Sequence, residues 1–464
     1  MALVCDASSG TIVRITATAD LTGEKRIRLA RRALLPGMVN AHSHAFQRVL
    51  RGRAECRTNQ QLDSFWTWRE LMYSAATRLT PEDIYDASRM AFLEMALGGI
   101  TAVGEFHYLH RAPDGGTYED PNLLAKEVVR AAGDIGIRIG LLRVAYARSG
   151  FQTGPNPQQV RFIENEPDVY LRNLRNLMAS VSRESAFNGA RNEAADSVWV
   201  GVAPHSVRAV QLDYLRELNA FASEQDLKIH MHVAEQPAEV SSCIEEYGRS
   251  PMALLESEGL LSERFTAIHA IHVTPKAIAA FAGTGAQVCA CPTTERNLGD
   301  GVVPADEYFK HGVRICLGTD SHAEIDLLED ARELEYHLRL QKLKRVVLEG
   351  GNSNLEPNET GDRISAVARR LLDCATINGA RSIGAPGGAL EIGKPADFFT
   401  VDLDDPAIAG AAKDDLLSGI VFTLSRAAVR EVIVGGKPIV SEGTHLIQEE
   451  VIERFNQLQK KLWS

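Results

Sequence analysis

The feature that most constrains the fold is a series of eight short apolar or β-branched segments, spaced fairly evenly along most of the chain. They are LLPGMVNAHSH near residue 34, ITAVGEFHY near 100, IRIGLLRVAY near 137, VWVGVAPHS near 198, LKIHMHVAE near 227, FTAIHAIHV near 265, AQVCACPTT near 286 and VRICLGTDSH near 313. Most of the intervening segments have helical periodicity. Apolar strands that alternate with helices indicate a parallel sheet, and eight such units predict a closed (β/α)8 barrel of the TIM type. An open doubly wound sheet is the alternative, although no glycine-rich phosphate loop follows the first strand.

One of the predicted helices has a well-marked start. Thr80 is expected to be its N-cap and Pro81 its first helical residue, with two acidic residues completing the first turn. The amphipathic pattern then continues to Gly98 and Gly99, where we expect the helix to end.

The two ends of the chain differ in pattern from the middle. Residues 1–35 and 389–446 alternate polar and apolar side chains with little helical signal. Two distant β segments on either side of one barrel predict a smaller β-sandwich domain formed from both termini. The predicted barrel therefore covers residues 36–388, and residues 447–464 form a C-terminal helix. Sequence rich in Ser, Asn, Gly and Glu near 349–361 predicts a surface loop.

The charge balance limits the partners of this protein. The 464 residues include 50 Lys and Arg against 61 Asp and Glu, a formal net charge of −11. In the absence of a basic run, this balance argues against nucleic-acid binding. Because the net charge repels anions, an anionic substrate would have to be bound by a few well-placed arginines. The chain has no stretch of about 18 uncharged apolar residues, so we predict no membrane span.

The cysteines indicate the redox environment. The seven are scattered without a CxxC pair, at Cys5, Cys56, Cys243, Cys289, Cys291, Cys316 and Cys374. This pattern predicts reduced, mostly buried thiols. The N-terminus lacks the basic and apolar segments of a secretory signal, and we expect a cytoplasmic protein.

The ends of the predicted strands carry residues that can bind metals or transfer protons. They are His42 and His44 at the first strand, His230, His232 and Glu235 at the fifth, His269 and His272 at the sixth, and Asp320 at the eighth. In a strand, residues at i and i+2 project from the same face, so each His-x-His pair presents two imidazoles together. Barrel active sites are built at this end of the strands. Three imidazoles and one carboxylate would suit Zn²⁺ or Fe²⁺.

These motifs resemble those of the amidohydrolase superfamily and, within it, the deaminase branch. The resemblance rests on PGMVNAHSH, HVAE, a later strand-end histidine and GTDSH, and it covers essentially the whole chain. More specific strings are HSHAFQRVLRG (42–52), DSFWTWRELMY (63–73), EFHYLH (105–110), APHSVRAV (203–210), HVAEQPAEV (232–240) and CPTTERNLGDG (291–301). They resemble the group that hydrolyses N-formimino-L-glutamate to N-formyl-L-glutamate and ammonia during histidine degradation.

The resemblance implies roles for individual residues. The implied ligands of one divalent ion per subunit, Zn²⁺ or alternatively Fe²⁺, are His42, His44, His232 and Asp320. The implied substrate-binding positions are Gln47, Arg69, Tyr108, His205 and Arg208. Glu235 and His269 are implied to be catalytic. The family also implies a homodimer, and the implied substrate is a small dicarboxylate.

The chemistry of the formimino group agrees with these roles, because hydrolysis needs a hydroxide on carbon and a proton on the departing nitrogen. We expect Asp320 to orient the attacking water and take its proton, and Glu235 to carry a proton to the leaving nitrogen. His269 would polarise the attacking group or the tetrahedral intermediate. The fourth strand ends at His205 without the bridging lysine of two-metal superfamily members, so one metal is predicted.

Two other functions stay open at this point. A deaminase of the same branch that acts on a purine or another ring amidine would share the metal and Glu235. It would need aromatic stacking and amide hydrogen bonds more than the two arginines, Arg69 and Arg208, which suit carboxylates. The third possibility is a catalytically inactive scaffold that only binds partners, against which the complete set of strand-end ligands argues.

Several polar residues near the motifs are predicted to lie outside the metal site. His107 and His110 are expected to be structural and His230 to pack inside the barrel, whereas the roles of His272 and His322 stay open. Residues 297–301 are predicted to form a loop after the seventh strand.

Overall fold

The structure, a computed structural model, describes residues 1–55, 65–187, 197–349 and 365–464. Cys56 lies outside these residues, and so does all of the predicted surface loop near 349–361 except Glu349. The strands, in chain order, are β1 (Ala2–Cys5), β2 (Ile12–Thr16), β3 (Arg32–Pro36), β4 (Met38–Ser43), β5 (Ile100–His107), β6 (Arg138–Ala145), β7 (Val198–Pro204), β8 (Ile229–Val233), β9 (Phe265–His269), β10 (Gln287–Ala290), β11 (Ile315–Leu317), β12 (Phe398–Asp402), β13 (Val429–Val434), β14 (Lys437–Ser441) and β15 (Thr444–His445).

Helices separate most of the strands. They are α1 (Phe65–Ala76), α2 (Pro81–Leu97), α3 (Leu123–Ile135), α4 (Pro167–Phe187), α5 (Leu212–Glu224), α6 (Pro237–Tyr247), α7 (Pro251–Ser257), α8 (Pro275–Ala282), α9 (Pro292–Leu298), α10 (Ala305–Lys310), α11 (Leu327–Lys342), α12 (Ala366–Ala375), α13 (Ile377–Ile383), α14 (Leu416–Thr423) and α15 (Gln448–Trp463). In the part of the chain that the structure describes, none of these helices is long and apolar enough to cross a membrane.

Strands β4 to β11 form one parallel sheet in sequential order, which confirms the predicted (β/α)8 barrel. β5 and β6 are buried along their whole length, as the nearly continuous apolar runs predicted. The first and last strands meet through a parallel bridge between Ser43 and Asp320. At this bridge the amide of Asp320 donates to the carbonyl of His42 (3.0 Å), and the amide of His44 donates to the carbonyl of Asp320 (3.1 Å). The barrel is therefore closed by the same residues that were predicted to bind the metal.

The β-sandwich combines both ends of the chain, as predicted. β3 joins β12, β13, β14 and β15 in an antiparallel sheet, and β1 pairs with β2 in a second, two-stranded sheet. A small apolar core made up of Ile12, Ala396, Phe398 and Ile433 is separate from the main core. β3 pairs with β12 along its whole length, so that a strand from the N-terminal segment forms one edge of a sheet made mainly by the C-terminal segment.

The apolar run near residue 34, which looks continuous in the sequence, is divided between the two domains. β3 ends at Pro36 and pairs with β12, whereas β4 begins at Met38 and enters the barrel. A Cβ atom on Gly37 would lie 2.2 Å from Oγ1 of Thr101, so only glycine fits between the two strands. The close approach of the backbone to β5 is the physical reason for this glycine.

The capped helix begins as predicted. In α2 the side chain of Thr80 accepts from the amide of Asp83, and Asp83 accepts from the amide of Thr80, which completes a capping box. The predicted loop at 297–301 is partly wrong, because α9 continues to Leu298 and ends at Gly299, whose φ of 71° is left-handed. The proline that follows Cys291 is the first residue of this helix, although the sequence places it in the apolar run AQVCACPTT of the seventh predicted strand.

The six described cysteines are all free. Five of them are buried and Cys5 is half-buried, in agreement with reduced thiols.

Candidate metal centre

Four side chains with metal-binding atoms meet at the C-terminal end of the barrel strands. The ligand atoms of His42, His44, His232 and Asp320 all lie within 4.8 Å of one another, and all four residues are buried. Oδ1 of Asp320 is 3.1 Å from Nε2 of His42 and 3.2 Å from Nε2 of His44. Neither ring nitrogen of His42 makes a well-directed hydrogen bond among the described residues. This buried, unpartnered imidazole and the three-nitrogen, one-oxygen donor set fit a divalent ion such as Zn²⁺.

Backbone carbonyls orient two of the imidazoles. Nδ1 of His44 donates to the carbonyl of Phe106 (2.9 Å), and Nδ1 of His232 donates to the carbonyl of His205 (3.0 Å). Because Nδ1 carries the proton in both rings, Nε2 is left with a free lone pair. Such hydrogen bonds hold metal-ligating histidines in one orientation and one tautomer.

The backbone around the cluster adopts conformations that side chains rarely accept. Left-handed φ angles occur just after β8 at Ala234 (52°), at the end of β9 at His269 (67°), and after β11 at Asp320 (42°) and His322 (58°). Each costs free energy in a residue other than glycine. Their concentration at three strand ends is typical of a functional site, where the surrounding structure fixes the direction of each side chain.

The two residues predicted to be catalytic lie beside the cluster. Oε1 of Glu235 is 3.7 Å from Nε2 of His269, which in turn is 3.9 Å from Oδ2 of Asp320. Burial lowers the pKa of His269, but the carboxylates of Glu235, Glu295 and Asp320 outweigh it and raise that pKa to about 10. His269 is therefore placed as a hydrogen-bond donor between two acidic groups.

Glu295 is a part of the site that the sequence reasoning missed. Its Oε1 lies 3.2 Å from Nδ1 of His269 and accepts from the amide of Cys291 (2.9 Å). The side chain is only 1% exposed. Its place just after the seventh predicted strand, in the string CPTTERNLGDG, is a signal that could have identified it.

A second missed residue is Glu105, in the middle of a buried strand. It accepts hydrogen bonds from the hydroxyl of Ser43 and from the amide of Ala45 (2.8 Å). Burial raises the pKa of Glu105 to about 7, against the lowering effect of these hydrogen bonds. Because Ser43 and Ala45 flank His44, Glu105 holds the chain segment that carries two of the predicted ligands.

The remaining strand-end histidines bond to neighbouring protein groups. His110 donates from Nε2 to the carbonyl of Val144 (2.8 Å), His230 to that of Ser382 (3.0 Å) and His272 to that of Asp300 (2.8 Å). His107 is buried beside His110.

His322 packs behind the cluster. Its Nε2 lies 3.0 Å from the hydroxyl of Ser43, and its Nδ1 lies 3.0 Å from that of Thr319. It therefore contacts the segment between His42 and His44 without facing the metal position.

A cavity opens directly onto the cluster. Its walls include all five residues that the resemblance implied as substrate-binding, together with Phe65, Trp68, Met72, Tyr73, Tyr146, Phe162 and Leu298. A larger cavity of about 590 Å³ lies at the opposite end of the barrel, against the sandwich, and contains none of the predicted site residues. The chemically capable groups therefore converge in the smaller cavity.

Two arginines in this cavity have no anionic partner among the described residues. Nε of Arg69 and Nη1 of Arg208 are buried without a hydrogen bond there, although another part of the Arg208 guanidinium bonds to the hydroxyl of Tyr146. The guanidinium of Arg69 lies over the rings of Trp66 and Tyr73, with Cζ 4.3 and 5.5 Å from the ring centroids. Buried cations of this kind need an anionic partner.

The other three predicted binding residues also line the cavity. Nε2 of Gln47 donates to the hydroxyl of Tyr108 (2.7 Å), whereas Oε1 of Gln47 is buried without a partner. Nδ1 of His205 lies 3.2 Å from the hydroxyl of Ser206. Burial, and then the charge of Arg208, hold the pKa of His205 well below its usual value, so this imidazole is neutral.

Comparison with known proteins agrees with this geometry. A family model described as the amidohydrolase family matches residues 33–439. The formimidoylglutamate deiminase of Pseudomonas aeruginosa is 37% identical over 451 residues, which cover 97% of this chain and 93% of that protein. A 5-methylthioadenosine/S-adenosylhomocysteine deaminase of Halobacterium salinarum is 29% identical over 462 residues, which cover 98% of this chain and 93% of that protein.

Solved structures share the fold. An amidohydrolase from Brucella melitensis has a TM-score of 0.87 and 33% identity, covering 100% of this chain and 96% of that chain. An adenosine deaminase from Xanthomonas campestris with bound zinc has a TM-score of 0.77 and 23% identity, covering 98% of this chain and 92% of that chain. The second likeness concerns the fold alone.

Proposed function

Because the chain belongs to the amidohydrolase family, we propose that it is a metal-dependent hydrolase that converts N-formimino-L-glutamate to N-formyl-L-glutamate and ammonia. The observation that carries this choice of substrate is the pair of arginines, Arg69 and Arg208, whose buried nitrogens have no anionic partner among the described residues in the cavity beside the metal cluster. The named activity of the 37% identical relative supports it.

The arginines account for the substrate's two carboxylates. A guanidinium group binds a carboxylate through two parallel hydrogen bonds, and such charge-assisted bonds are stronger than neutral ones. A protein with a net charge of −11 repels a dianion at long range, so the positive charge has to be concentrated inside the cavity. Arg69, which lies in α1, and Arg208, which lies in the loop after β7, supply this positive charge from two separate segments of the chain.

We propose Zn²⁺ as the metal, one ion per subunit, held by His42, His44, His232 and Asp320. Fe²⁺ is the alternative that this donor set also accepts. When bound, such an ion lowers the pKa of a water molecule enough to provide a nucleophile at neutral pH.

The chain's own residues then move the protons. Asp320 takes a proton from the attacking water, and Glu235 delivers a proton to the nitrogen that leaves as ammonia. His269, held between these two carboxylates, donates a hydrogen bond to the oxygen of the tetrahedral intermediate. Gln47, Tyr108 and His205 would contact the substrate from the cavity wall.

The nearest alternative is deamination of a purine derivative, the activity named for the 29% identical relative. The cavity offers aromatic rings at Phe65 and Trp68 for stacking. A neutral ring would nevertheless leave the buried nitrogens of Arg69 and Arg208 without an anionic partner, which is costly. The dicarboxylate therefore fits the cavity better.

A substrate panel tests the proposal. The zinc-loaded protein is assayed for ammonia release from N-formimino-L-glutamate, adenosine, 5′-methylthioadenosine and guanine at equal concentrations. We expect release from N-formimino-L-glutamate only, with N-formyl-L-glutamate identified as the second product. Ammonia release from the purines alone would contradict the proposal.

We also propose that the protein is a homodimer, as the family resemblance implies. We further propose a reducing, cytoplasmic environment, for which the six unpaired cysteines among the described residues provide indirect support. Sedimentation of the zinc-loaded protein at micromolar concentration tests the assembly. A monomer under these conditions would contradict it.

A further inference from the structure

Two tyrosines in the cavity wall, and a glutamine that contacts both of them, have no role in the scheme above. Tyr73 lies in α1, Tyr146 directly follows β6, and Gln159 ends a 3-10 turn formed by Pro157–Gln159. All three side chains are at most 2% exposed. Nε2 of Gln159 donates to both phenol oxygens, over 2.6 Å to Tyr73 and 2.8 Å to Tyr146. One amide therefore connects two hydroxyls from separate parts of the barrel.

This connection fixes what the hydroxyls can do. A phenol has a single hydrogen to donate, and an oxygen that accepts from Gln159 keeps that hydrogen for another group. Among the residues that the structure describes, neither Tyr73 nor Tyr146 donates a hydrogen bond. The guanidinium of Arg208 also bonds to Tyr146 and has only donors, so it uses the oxygen and not the hydrogen of this phenol.

Both hydroxyls lie in the part of the cavity that contains the arginines. Tyr73, Tyr146, Arg69 and Arg208 all line it. Burial lowers the pKa of Arg208, but the phenols of Tyr146 and Tyr73 are the next largest influences and raise it, which places both close to this guanidinium. Two neutral and two cationic donors are thus gathered together, and none of these four side chains accepts the phenol hydrogens, whereas Oε1 of Gln159 is buried without a partner.

We propose that Tyr73 and Tyr146 donate their hydroxyl hydrogens to one carboxylate of the substrate, and that Gln159 is the positioning residue that keeps both hydroxyls as donors. This inference rests on the proposed function in so far as the ligand is a dicarboxylate. A carboxylate has about four lone-pair sites, more than one bidentate arginine can use. The two tyrosine hydroxyls donate to the lone-pair sites of the carboxylate that an arginine does not use.

The arrangement also determines specificity. An amide in place of the carboxylate presents an NH₂ group, which needs an acceptor. Because Nε2 of Gln159 donates to both phenol oxygens and Arg208 also donates to that of Tyr146, the two tyrosines offer such a group their hydrogens and at most one remaining acceptor site, on Tyr73. The site therefore distinguishes a carboxylate from the amide of the same shape, a discrimination that buried polar groups achieve when the wrong ligand leaves them unpaired.

The experiment compares Tyr73→Phe and Tyr146→Phe with the wild type in the zinc-loaded protein. Each variant loses one hydrogen bond to a charged group, so we expect KM for N-formimino-L-glutamate to rise by about ten- to a hundredfold, with kcat nearly unchanged. Tyr170→Phe is the matched control, since it removes a buried hydroxyl that donates to the carbonyl of Arg143 outside the cavity. Its KM should equal that of the wild type.

Gln159→Met tests the positioning role. It keeps the volume but removes the donors, so the phenols become free to accept. We expect the ratio of kcat/KM between N-formimino-L-glutamate and N-formimino-L-glutamine to fall by about tenfold or more, whereas a purely structural defect would lower both values equally.

Glutarate binding, measured by calorimetry, separates this inference from the proposed function. If the wild type binds glutarate but does not hydrolyse N-formimino-L-glutamate, and both phenylalanine variants lose the binding, the function fails and the inference holds. If the wild type hydrolyses N-formimino-L-glutamate and both phenylalanine variants keep its KM and glutarate affinity, the inference is overturned and the function holds. An equal loss of catalytic efficiency for both substrates in Gln159→Met would also overturn the positioning role.

Discussion

Nδ1 of His269 lies 3.2 Å from Oε1 of Glu295, a carboxylate that is buried with the imidazole behind the metal cluster. This contact fixes the ring, so that Nε2 faces Glu235 and Asp320. The imidazole that we propose to be catalytic is thus positioned by Glu295, a residue that need not touch the substrate.

We predict that Glu295→Gln lowers kcat by about ten- to a hundredfold and leaves KM nearly unchanged, because loss of an orienting partner typically has an effect of this size. Steady-state kinetics on N-formimino-L-glutamate measure both constants. Glu335→Gln is the control, since Glu335 is equally buried but bonds to Arg339 and to two backbone amides in another part of the barrel. A variant at Glu295 with wild-type kcat would contradict the positioning role.

Arg208→Ala should lower kcat/KM for N-formimino-L-glutamate by about a hundredfold, since it removes charge-assisted hydrogen bonds to a carboxylate. Arg216→Ala, which removes a half-exposed arginine from α5, should leave the kinetics unchanged. If the two alanine variants show the same kcat/KM, Arg208 does not bind the substrate.

Glu105→Gln should weaken zinc binding by about ten- to a hundredfold, because Glu105 bonds to Ser43 and Ala45 and so holds the segment that carries His42 and His44. Competition with a chromogenic chelator measures the zinc Kd directly. The control is Glu335→Gln, which removes an equally buried carboxylate that bonds to Arg339 and to the amides of Val347 and Leu348. Equal zinc affinities in the wild type and Glu105→Gln would show that this carboxylate does not support the ligands.

The buried pair Arg143 and Glu164 makes the stability depend on pH. Two hydrogen bonds of 2.6 and 3.0 Å join them. Burial raises the pKa of Glu164, but His110 and Arg143 outweigh it and hold that pKa at about 2. Because the folded-state pKa is lower than the unfolded value of about 4.3, the stabilisation is present above pH 4.3 and is lost as the pH falls toward 2.

Glu164→Gln should therefore lower the free energy of unfolding at pH 7 by about 3 to 5 kcal/mol, since Arg143 is left buried without its counter-charge. The difference in the free energy of unfolding between Glu164→Gln and the wild type should become smaller as the pH falls from 5 to 3. Urea unfolding across this range measures it. A difference that stays constant with pH would mean that the charge of Glu164 does not stabilise the fold.

The sequence predicted much of this architecture because its strongest signals are local. Near-continuous apolar runs locate all eight barrel strands, and the closing strand pair places Asp320 against His42 and His44 as expected from a closed barrel. The split of one run at Gly37 was not predictable, because it depends on the side chain of Thr101 in a strand more than sixty residues away.

The residues that support the site were harder to predict for a similar reason. Glu105 lies within a buried strand and Glu295 within a helix, where the usual interpretation of a polar residue is structural. The partnership of Tyr73, Tyr146 and Gln159 depends on how three segments far apart in the sequence meet at one wall. Periodicity predicts which face of an element is buried, but not which buried polar groups contact one another.

The most direct test of the central claim follows N-formimino-L-glutamate, labelled with ¹³C in the formimino group, by NMR in the presence of the metal-free and the zinc-loaded protein. The account predicts that the labelled carbon becomes the formyl carbon of N-formyl-L-glutamate, with one ammonia released per molecule, and only after zinc is added. A zinc-loaded protein that leaves the labelled substrate intact while it deaminates adenosine would contradict the account.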